Sequence, residues 1–273
     1  MERRGLDGEE GLTLGIVTLT TDFGTADGYV GEMKGVILSL APEVLLVDVT
    51  HEVPPGDVDA ASWVLNRLWE RFPERSVHLV VVDPGVGGPR RPVGVRSRGR
   101  WFIGPDNGLL TDALAGRSAE EVRLLRPESF GAREPSSTFH GRDLFAPAAA
   151  WLASGRPPMG LGPSIQGADL MRRERPEPEH VGGSARGHVV HIDRFGNLIT
   201  DSPAGWLAPT ALVEVGGQTI SGIRSSYASV SPGDLVAVIG SAGTLEISLR
   251  DGSASGHLQV RRGGEVRASS ERI

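Results

Sequence analysis

The first half of the chain alternates two kinds of apolar pattern, and that alternation restricts the fold more than any other feature. Residues 14–20 form a short β-rich apolar run. Residues 29–40 place Val30, Met33, Val36, Ile37 and Leu40 at helical spacing and stop just before Pro42. Residues 44–49 read as a second buried strand, and Asp57 is placed to cap a helix carrying Ala60, Ala61, Val64, Leu65 and Leu68. Residues 77–82 are nearly all apolar, the composition of a strand covered on both faces. Strand and helix in this order predict βαβ crossovers and a mostly parallel sheet. Residues 93–95 and 101–103 extend that sheet, and 144–152 predict a further helix.

The pattern then changes. Residues 155–187 are rich in Pro, Gly and charge, including Arg175-Pro176-Glu177-Pro178-Glu179, and read as a connection. Beyond them short apolar runs recur at 189–192, 212–215, 235–239, 245–249 and 258–260, separated by Gly or Pro turns. That spacing predicts a small all-β barrel or sandwich. The expected fold class is therefore α/β plus β. A mostly parallel α/β domain covers residues 1–170, a linker 171–186 and a small β domain 187–273.

Composition narrows the functional classes. The net charge of −6 comes without a basic block, which disfavours a phosphate backbone as partner. Lys34 is the single lysine among 28 Lys and Arg residues, and the arginines are scattered as on solvated faces. The absence of Cys excludes disulfides, thiolate metal sites and thiol nucleophiles. No apolar stretch is long enough to span a bilayer. The start, Met1-Glu2-Arg3-Arg4, shows no signal-peptide pattern, so the expected location is the cytoplasm. His188 and His191 lie three apart, which in a regular strand puts them on opposite faces and argues against a shared metal.

Candidate chemistry sits just after the apolar runs, where open parallel sheets place their ligands. Asp22, in Thr20-Thr21-Asp22-Phe23-Gly24, suits a vicinal diol such as a ribose, or an ordinary Asx turn. Asp83 opens Asp-Pro-Gly-Val-Gly-Gly, and Arg90, seven residues on, is placed to fold back onto it, as catalytic partner or as loop brace. His140, in Thr138-Phe139-His140-Gly141, is either an incidental loop histidine or the side chain most easily poised for proton transfer near neutrality. In the second half, Asp193-Arg194-Phe195-Gly196-Asn197 reads as a hairpin turn or a ligand loop. Tyr227 suits stacking on a base or covering a strand end, and Ser241 is a plain turn serine or lies in a turn that suits a carboxylate.

Six blocks together resemble one family. They are Thr-Thr-Asp-Phe-Gly (20–24), Tyr-Val-Gly-Glu-Met-Lys-Gly (29–35), Val-Asp-Pro-Gly-Val-Gly (82–87), Gly-Pro-Asp-Asn-Gly-Leu-Leu (104–110), Thr-Phe-His-Gly-Arg-Asp (138–143) and Ile-Asp-Arg-Phe-Gly-Asn (192–197). In this order, over about residues 14–260, the chain resembles the S-adenosyl-L-methionine hydroxide adenosyltransferases, relatives of the fluorinating and chlorinating enzymes. The resemblance implies an α/β domain and a β-barrel domain, a homotrimer, and sites formed by the N-terminal domain of one subunit with the C-terminal domain of the next. It also implies hydrolysis of S-adenosyl-L-methionine by water at the adenosyl 5′ carbon, without cofactor or metal. The catalytic trio maps onto Asp83, Arg90 and His140. The resemblance further implies that Asp22 holds the ribose, Asn197 contacts the adenosine, and Phe195 and Tyr227 pack on the adenine. It assigns Asp193 and Ser241 to the methionine amine and carboxylate, with Glu246 and Asp27 also on the substrate side. Gly240, Ala242 and Arg250 depart from the family pattern, which expects Asn, a large side chain and Asn there. Two alternatives stand beside hydrolysis: halide transfer to the same carbon, and a non-catalytic binder of adenosyl ligands.

Overall fold

The computed structural model describes residues 15–269, so residues 1–4 and Leu14 lie outside the described residues. The chain divides into two compact units between Arg173 and Glu174.

In the first unit β1 (Ile16–Thr21), β2 (Leu45–Thr50), β3 (Val77–Val81), β4 (Pro92–Ser97), β5 (Arg100–Pro105) and β6 (Glu121–Leu124) form one sheet in the order β2-β1-β3-β5-β4-β6. β1 pairs in parallel with both β2 and β3, and β3 with β5; β4 runs against its neighbours β5 and β6. The sheet is thus mostly parallel, as expected. Alternation along β3 sends Val77, Leu79 and Val81 to one face and Val80 with Val82 to the other. α1 (Tyr29–Leu40) and α3 (Ala146–Ala153) cover the first face through Met33, Ile37 and the alanines of α3. α2 (Val58–Leu68) covers the second through Ala61 and Leu65. Asp57 caps α2 as the sequence suggests, its Oδ1 accepting from the Ala60 N–H at 3.0 Å.

This topology positions the site. The chain leaves β1 through α1 to β2 on one side, then crosses through α2 to β3 on the other. The loops after β1 and β3 therefore face each other where the strand order reverses, the crevice in which α/β sheets bind ligands. Asp22 follows β1 and Asp83 lies two residues beyond β3.

Three expectations need correction. The 44–49 run is not a buried strand: β2 is the sheet edge, with Leu45 50% and Val47 36% exposed. An apolar run records strand propensity, whereas strand order decides how many neighbours cover it. The 144–152 helix begins earlier, as a π-helical turn over Gly141–Phe145 that continues into α3. The 258–260 strand is instead the end of α4 (Ala254–Leu258) and a turn, and the last strand is β15 (Glu265–Ser269).

The second unit contains β7 (Glu179–Val181), β8 (Ser184–Ile192), β9 (Leu198–Pro203), β10 (Leu212–Val215), β11 (Gln218–Ser221), β12 (Ile223–Arg224), β13 (Leu235–Ile239), β14 (Thr244–Leu249) and β15. Their order is β11-β10-β15-β8-β9-β14-β13-β12, with β7 added on β8, and the sheet curls into a nearly closed barrel. Val189, Leu198, Val213, Ala237, Ile247 and Val266 fill its interior. The pairing of β8 with β9 shifts between Val189 and His191, so strict alternation does not carry from His188 to His191. Among the described residues no group of three or more His, Asp and Glu is arranged to hold a metal ion. Nor is any helix among them long and apolar enough to cross a membrane.

Candidate active site

Three loops of the first unit converge at the carboxyl ends of the central strands. Asp83 and Arg90 close the loop after β3. Arg90 Nε donates to Asp83 Oδ1 at 3.0 Å and Oδ2 at 2.9 Å, and Nη2 donates to Oδ2 at 2.5 Å. The two side chains are 5% and 9% exposed, so salt screens this pair little. The same Nη2 lies 2.6 Å from His140 Nδ1. A guanidinium has only donors, so His140 Nδ1 accepts, and the neutral ring carries its proton on Nε2. Burial lowers the His140 pKa, and the Arg90 cation lowers it further against the opposing pull of Asp83 and Asp143. The imidazole is therefore held neutral, with an N–H donor on the side away from Arg90.

Local structure fixes the His140 loop. The π-helical turn starts immediately after His140, a widening of the helix frequent at functional sites. Its Phe145 lies under the Arg90 guanidinium, 5.5 Å from Cζ to ring centroid, and edge-on to His140 at 6.5 Å. Asp143 accepts from the Ser136 N–H at 3.0 Å, which ties down the segment leading to His140. Hydrogen bonds from Arg142, the main cause, hold the Asp143 pKa at about 2 despite partial burial. Phe139 meets Phe23 and Tyr29 edge to face at centroid distances of 5.8 and 5.3 Å. Because Phe23 follows Asp22 and Phe139 precedes His140, this cluster joins the Asp22 loop to the His140 loop. Asp22 Oδ2 accepts from the Gly56 N–H at 2.7 Å, and Gly56 faces the Asp83 loop, where an added Cβ would come to 3.6 Å from Pro84 Cβ.

Gly87 is where two loops touch. It has φ +75°, and a Cβ there would lie 2.5 Å from the Ser137 carbonyl oxygen. Gly87→Ala is expected to lower stability by about 1–3 kcal/mol and to reduce kcat by separating Asp83 from His140. Thermal unfolding and steady-state kinetics of the same preparation check this, and an unchanged melting temperature would contradict it.

The second unit gathers a separate polar group. Asp193 holds its own turn, Oδ1 accepting from the backbone N–H of Phe195 and Asn197 at 2.9 Å each and Oδ2 from Asn197 Nδ2 at 2.9 Å. The hairpin reading of this segment is thus realised, and it leaves the Phe195 ring 75% exposed. The Tyr227 hydroxyl donates to the buried Glu246 Oε1 at 2.5 Å. That hydrogen bond, with burial and the charges of Glu246 and Asp193, pushes the Tyr227 pKa up to about 12. The absence of a side chain at Gly240 makes room for Glu246 Oε2, and Arg250 Nη1 donates to the Val230 carbonyl at 2.6 Å in the segment after Tyr227. These departures from the expected pattern therefore have structural roles of their own. Ser241 is exposed in the turn closed by Gly243 N–H to Gly240 O at 2.9 Å. Asp27 is exposed just ahead of α1 and is not part of the trio's hydrogen-bond network.

The structure thus brings Asp83, Arg90 and His140 together and places Asp22 in a loop packed against theirs. Reading the sequence missed Phe145 and Gly56, whose only signals were an aromatic in the predicted helix and a glycine in a loop. A cavity of about 590 Å³ in this unit is lined by Val36, Leu40, Phe130 and Trp151, with Arg142 and Asp143 on its wall, and includes none of the trio.

Comparison with known proteins gives consistent matches over both units. The family described as SAM hydroxide adenosyltransferase N-terminal domain matches residues 17–162, and the corresponding C-terminal domain family matches residues 187–267. A protein of Thermus thermophilus named (R)-S-adenosyl-L-methionine hydrolase is 41% identical, covering 92% of this chain and 98% of its own length. A fluorinase of an Actinoplanes species is 31% identical over 68% of this chain and 71% of its own. Among solved structures, an uncharacterized conserved protein from Thermotoga maritima superposes with TM-score 0.86 at 35% identity, covering 93% of this chain and 99% of that one.

Proposed function

This chain belongs to the SAM hydroxide adenosyltransferase family, and from that membership we propose the following reading of its chemistry. The protein is an enzyme that hydrolyses S-adenosyl-L-methionine. The products are adenosine and L-methionine, and Asp83, Arg90 and His140 act on the water. The observation that carries this reading is the single Arg90 nitrogen shared by Asp83 and His140, at 2.5 and 2.6 Å.

The physical demands of the reaction match that arrangement. The substrate is a sulfonium, so its leaving group is a neutral thioether and needs no general acid. The water oxygen bonds to the 5′ carbon, the carbon–sulfur bond breaks, and its electron pair stays on sulfur. What remains is to place the water in line and to take its proton. His140 Nδ1 is occupied by Arg90 and its Nε2 carries the hydrogen, so the ring orients the water as a donor. Asp83 still has carboxylate lone pairs not used by Arg90, and it accepts the proton. Arg90 fixes both partners and stabilises the negative charge that develops between them.

Asp22 binds the ribose hydroxyls in this reading, with Asp27 towards the methionine end. Asn197, Phe195 and Tyr227 serve the adenosine, Asp193 and Ser241 the methionine amine and carboxylate, and Glu246 the substrate side. Support comes from the two polar groups described above, one in each unit. The relatives' names specify the (R) form, and we take the substrate to be that sulfur epimer. The reading needs no cofactor, and it includes a cytoplasmic homotrimer in which neighbouring subunits contribute to each site. Native mass spectrometry tests the assembly, and a monomer of full activity contradicts it.

The direct test of the reaction is mass spectrometry of the nucleoside formed from S-adenosyl-L-methionine in ¹⁸O-labelled water with excess chloride. One labelled oxygen in adenosine, with methionine released, is the expected result. Chlorinated nucleoside would move the chain to halide transfer, and ligand binding without turnover would favour a non-catalytic binder.

A further inference from the structure

The Gly-Pro-Asp-Asn-Gly-Leu-Leu block at 104–110 takes no part in the reading above, yet its Asp106 and Asn107 lie directly beneath the Asp83–Arg90 loop. In the sheet β5 lies between β3 and β4, and the chain crosses from β3 to β4 over the carboxyl end of β5. Residues 106 and 107 are the first two beyond that end. They hold both stems of the crossing loop. On the incoming stem, Asn107 Nδ2 donates to the carbonyl of Val82, the residue before Asp83, at 2.9 Å. On the outgoing stem, the Asp106 N–H donates to the carbonyl of Arg91, the residue after Arg90, at 2.8 Å.

Side chains lock both contacts. Asn107 Oδ1 accepts from the Leu109 N–H at 3.2 Å, so its amide is held at both ends and its rotamer is set. Asp106 is 7% exposed; its Oδ2 accepts from Arg91 Nε at 2.9 Å and Nη2 at 2.5 Å. Its Oδ1 accepts from the Met171 N–H at 2.8 Å. Val82 lies one residue beyond β3, past the last β3–β5 pair at Leu79 and Ile103, so sheet pairing does not anchor its carbonyl. Asn107 supplies the missing donor.

We propose that Asn107 and Asp106 are positioning residues that clamp the two stems of the 83–90 loop and so set Asp83 and Arg90 in register with His140. The proposal rests on the reading that Asp83 and Arg90 act on the water. Neither Asn107 nor Asp106 touches substrate; each acts through the backbone next to a group that does. In-line attack tolerates little error, and a displacement of about 1 Å costs on the order of 10²-fold in rate.

Asn107→Asp separates positioning from folding. It keeps the oxygen that caps the Leu109 N–H and so preserves the local turn, but it cannot donate to Val82. The expected result is a fall in kcat of roughly 10–100-fold, with KM within about twofold and a melting temperature close to that of the parent. The nitrogen NMR signals of His140 should also move, because a displaced Arg90 no longer donates to Nδ1. Asn107→Ser, with a short hydroxyl donor, should recover part of kcat. Asp106→Asn, which keeps an acceptor for Met171 but loses the Arg91 ion pair, gives an independent reading if the first variant does not fold. Parent-like kcat with unmoved His140 signals in folded Asn107→Asp overturns the clamp. So does a kcat loss that only follows a loss of folded protein. Asp83→Asn assayed in parallel keeps the two readings apart. If Asp83→Asn is inactive and Asn107→Asp is parent-like, only the clamp fails; if Asp83→Asn is fully active, the reading of the trio fails first.

Discussion

Asp83→Asn should lower kcat by roughly 10²–10⁴-fold, the range that general-base help supplies, while the protein still folds. Asn has nearly the shape of Asp and keeps one carbonyl oxygen for Arg90, so the loop retains a partner at that position. What disappears is the group able to take a proton from water and the charge opposite a guanidinium that is 9% exposed. Leaving such a cation unpaired costs about 3–5 kcal/mol, so stability should fall measurably even as the fold persists. The His140 pKa, already below its ordinary value, should drop further, because the raising influence of Asp83 is removed while the lowering influence of Arg90 remains. Steady-state kinetics together with an NMR titration of His140 read both effects. A folded Asp83→Asn protein with parent-like kcat would falsify the role given to this carboxylate.

Acidification should destabilise the first unit through His78, a residue of β3 that takes no part in the chemistry. This ring is fully buried in β3, accepts or donates at Nδ1 to Thr18 Oγ1 at 2.8 Å, and stacks on Phe102 at 5.4 Å. Burial, helped by the Arg100 cation, depresses its pKa from 6.5 to about 3. Below pH 6.5 the unfolded chain binds a proton that the folded chain refuses, so stability falls as pH falls and levels off only near pH 3. Each pH unit in that window is worth about 1.4 kcal/mol. Between pH 7 and pH 5 the loss from this one group is roughly 2 kcal/mol. Urea unfolding of the parent and of His78→Phe at both pH values isolates the contribution of this ring. The variant loses the Thr18 bond at every pH, but its difference between pH 7 and pH 5 should be smaller by about that amount. An equal pH difference in the two proteins would refute the assignment.

Much of the architecture is legible in the sequence, and the reason is local. Helical spacing over Val30, Met33 and Ile37 fits only one buried stripe, and α1 spans the same twelve residues that the pattern marks. The capping geometry of Asp57 depends on three residues of backbone, and it appears as expected. The polar residues after the apolar runs, Asp22 and Asp83, stand at strand ends because a parallel sheet leaves nowhere else for loops to gather. The seven-residue gap from Asp83 to Arg90 is a loop that closes on itself, again a short-range event. The resemblance of six blocks then added the partner His140, fifty residues further on.

Long-range order was not written in any window of the chain. Whether Leu45 and Val47 are covered depends on strand order, and β2 proved to be an edge. The reversal of β4 places the end of β5 under the Asp83 loop, and from that crossing come the contacts of Asp106 and Asn107 with its two stems. The protonated nitrogen of His140 follows from which atom Arg90 reaches, a distance between side chains fifty residues apart. Local propensity and turn chemistry are properties of neighbouring residues, so the chain carries them in its order. Coverage, crossing and tautomer are properties of residues that only folding makes neighbours.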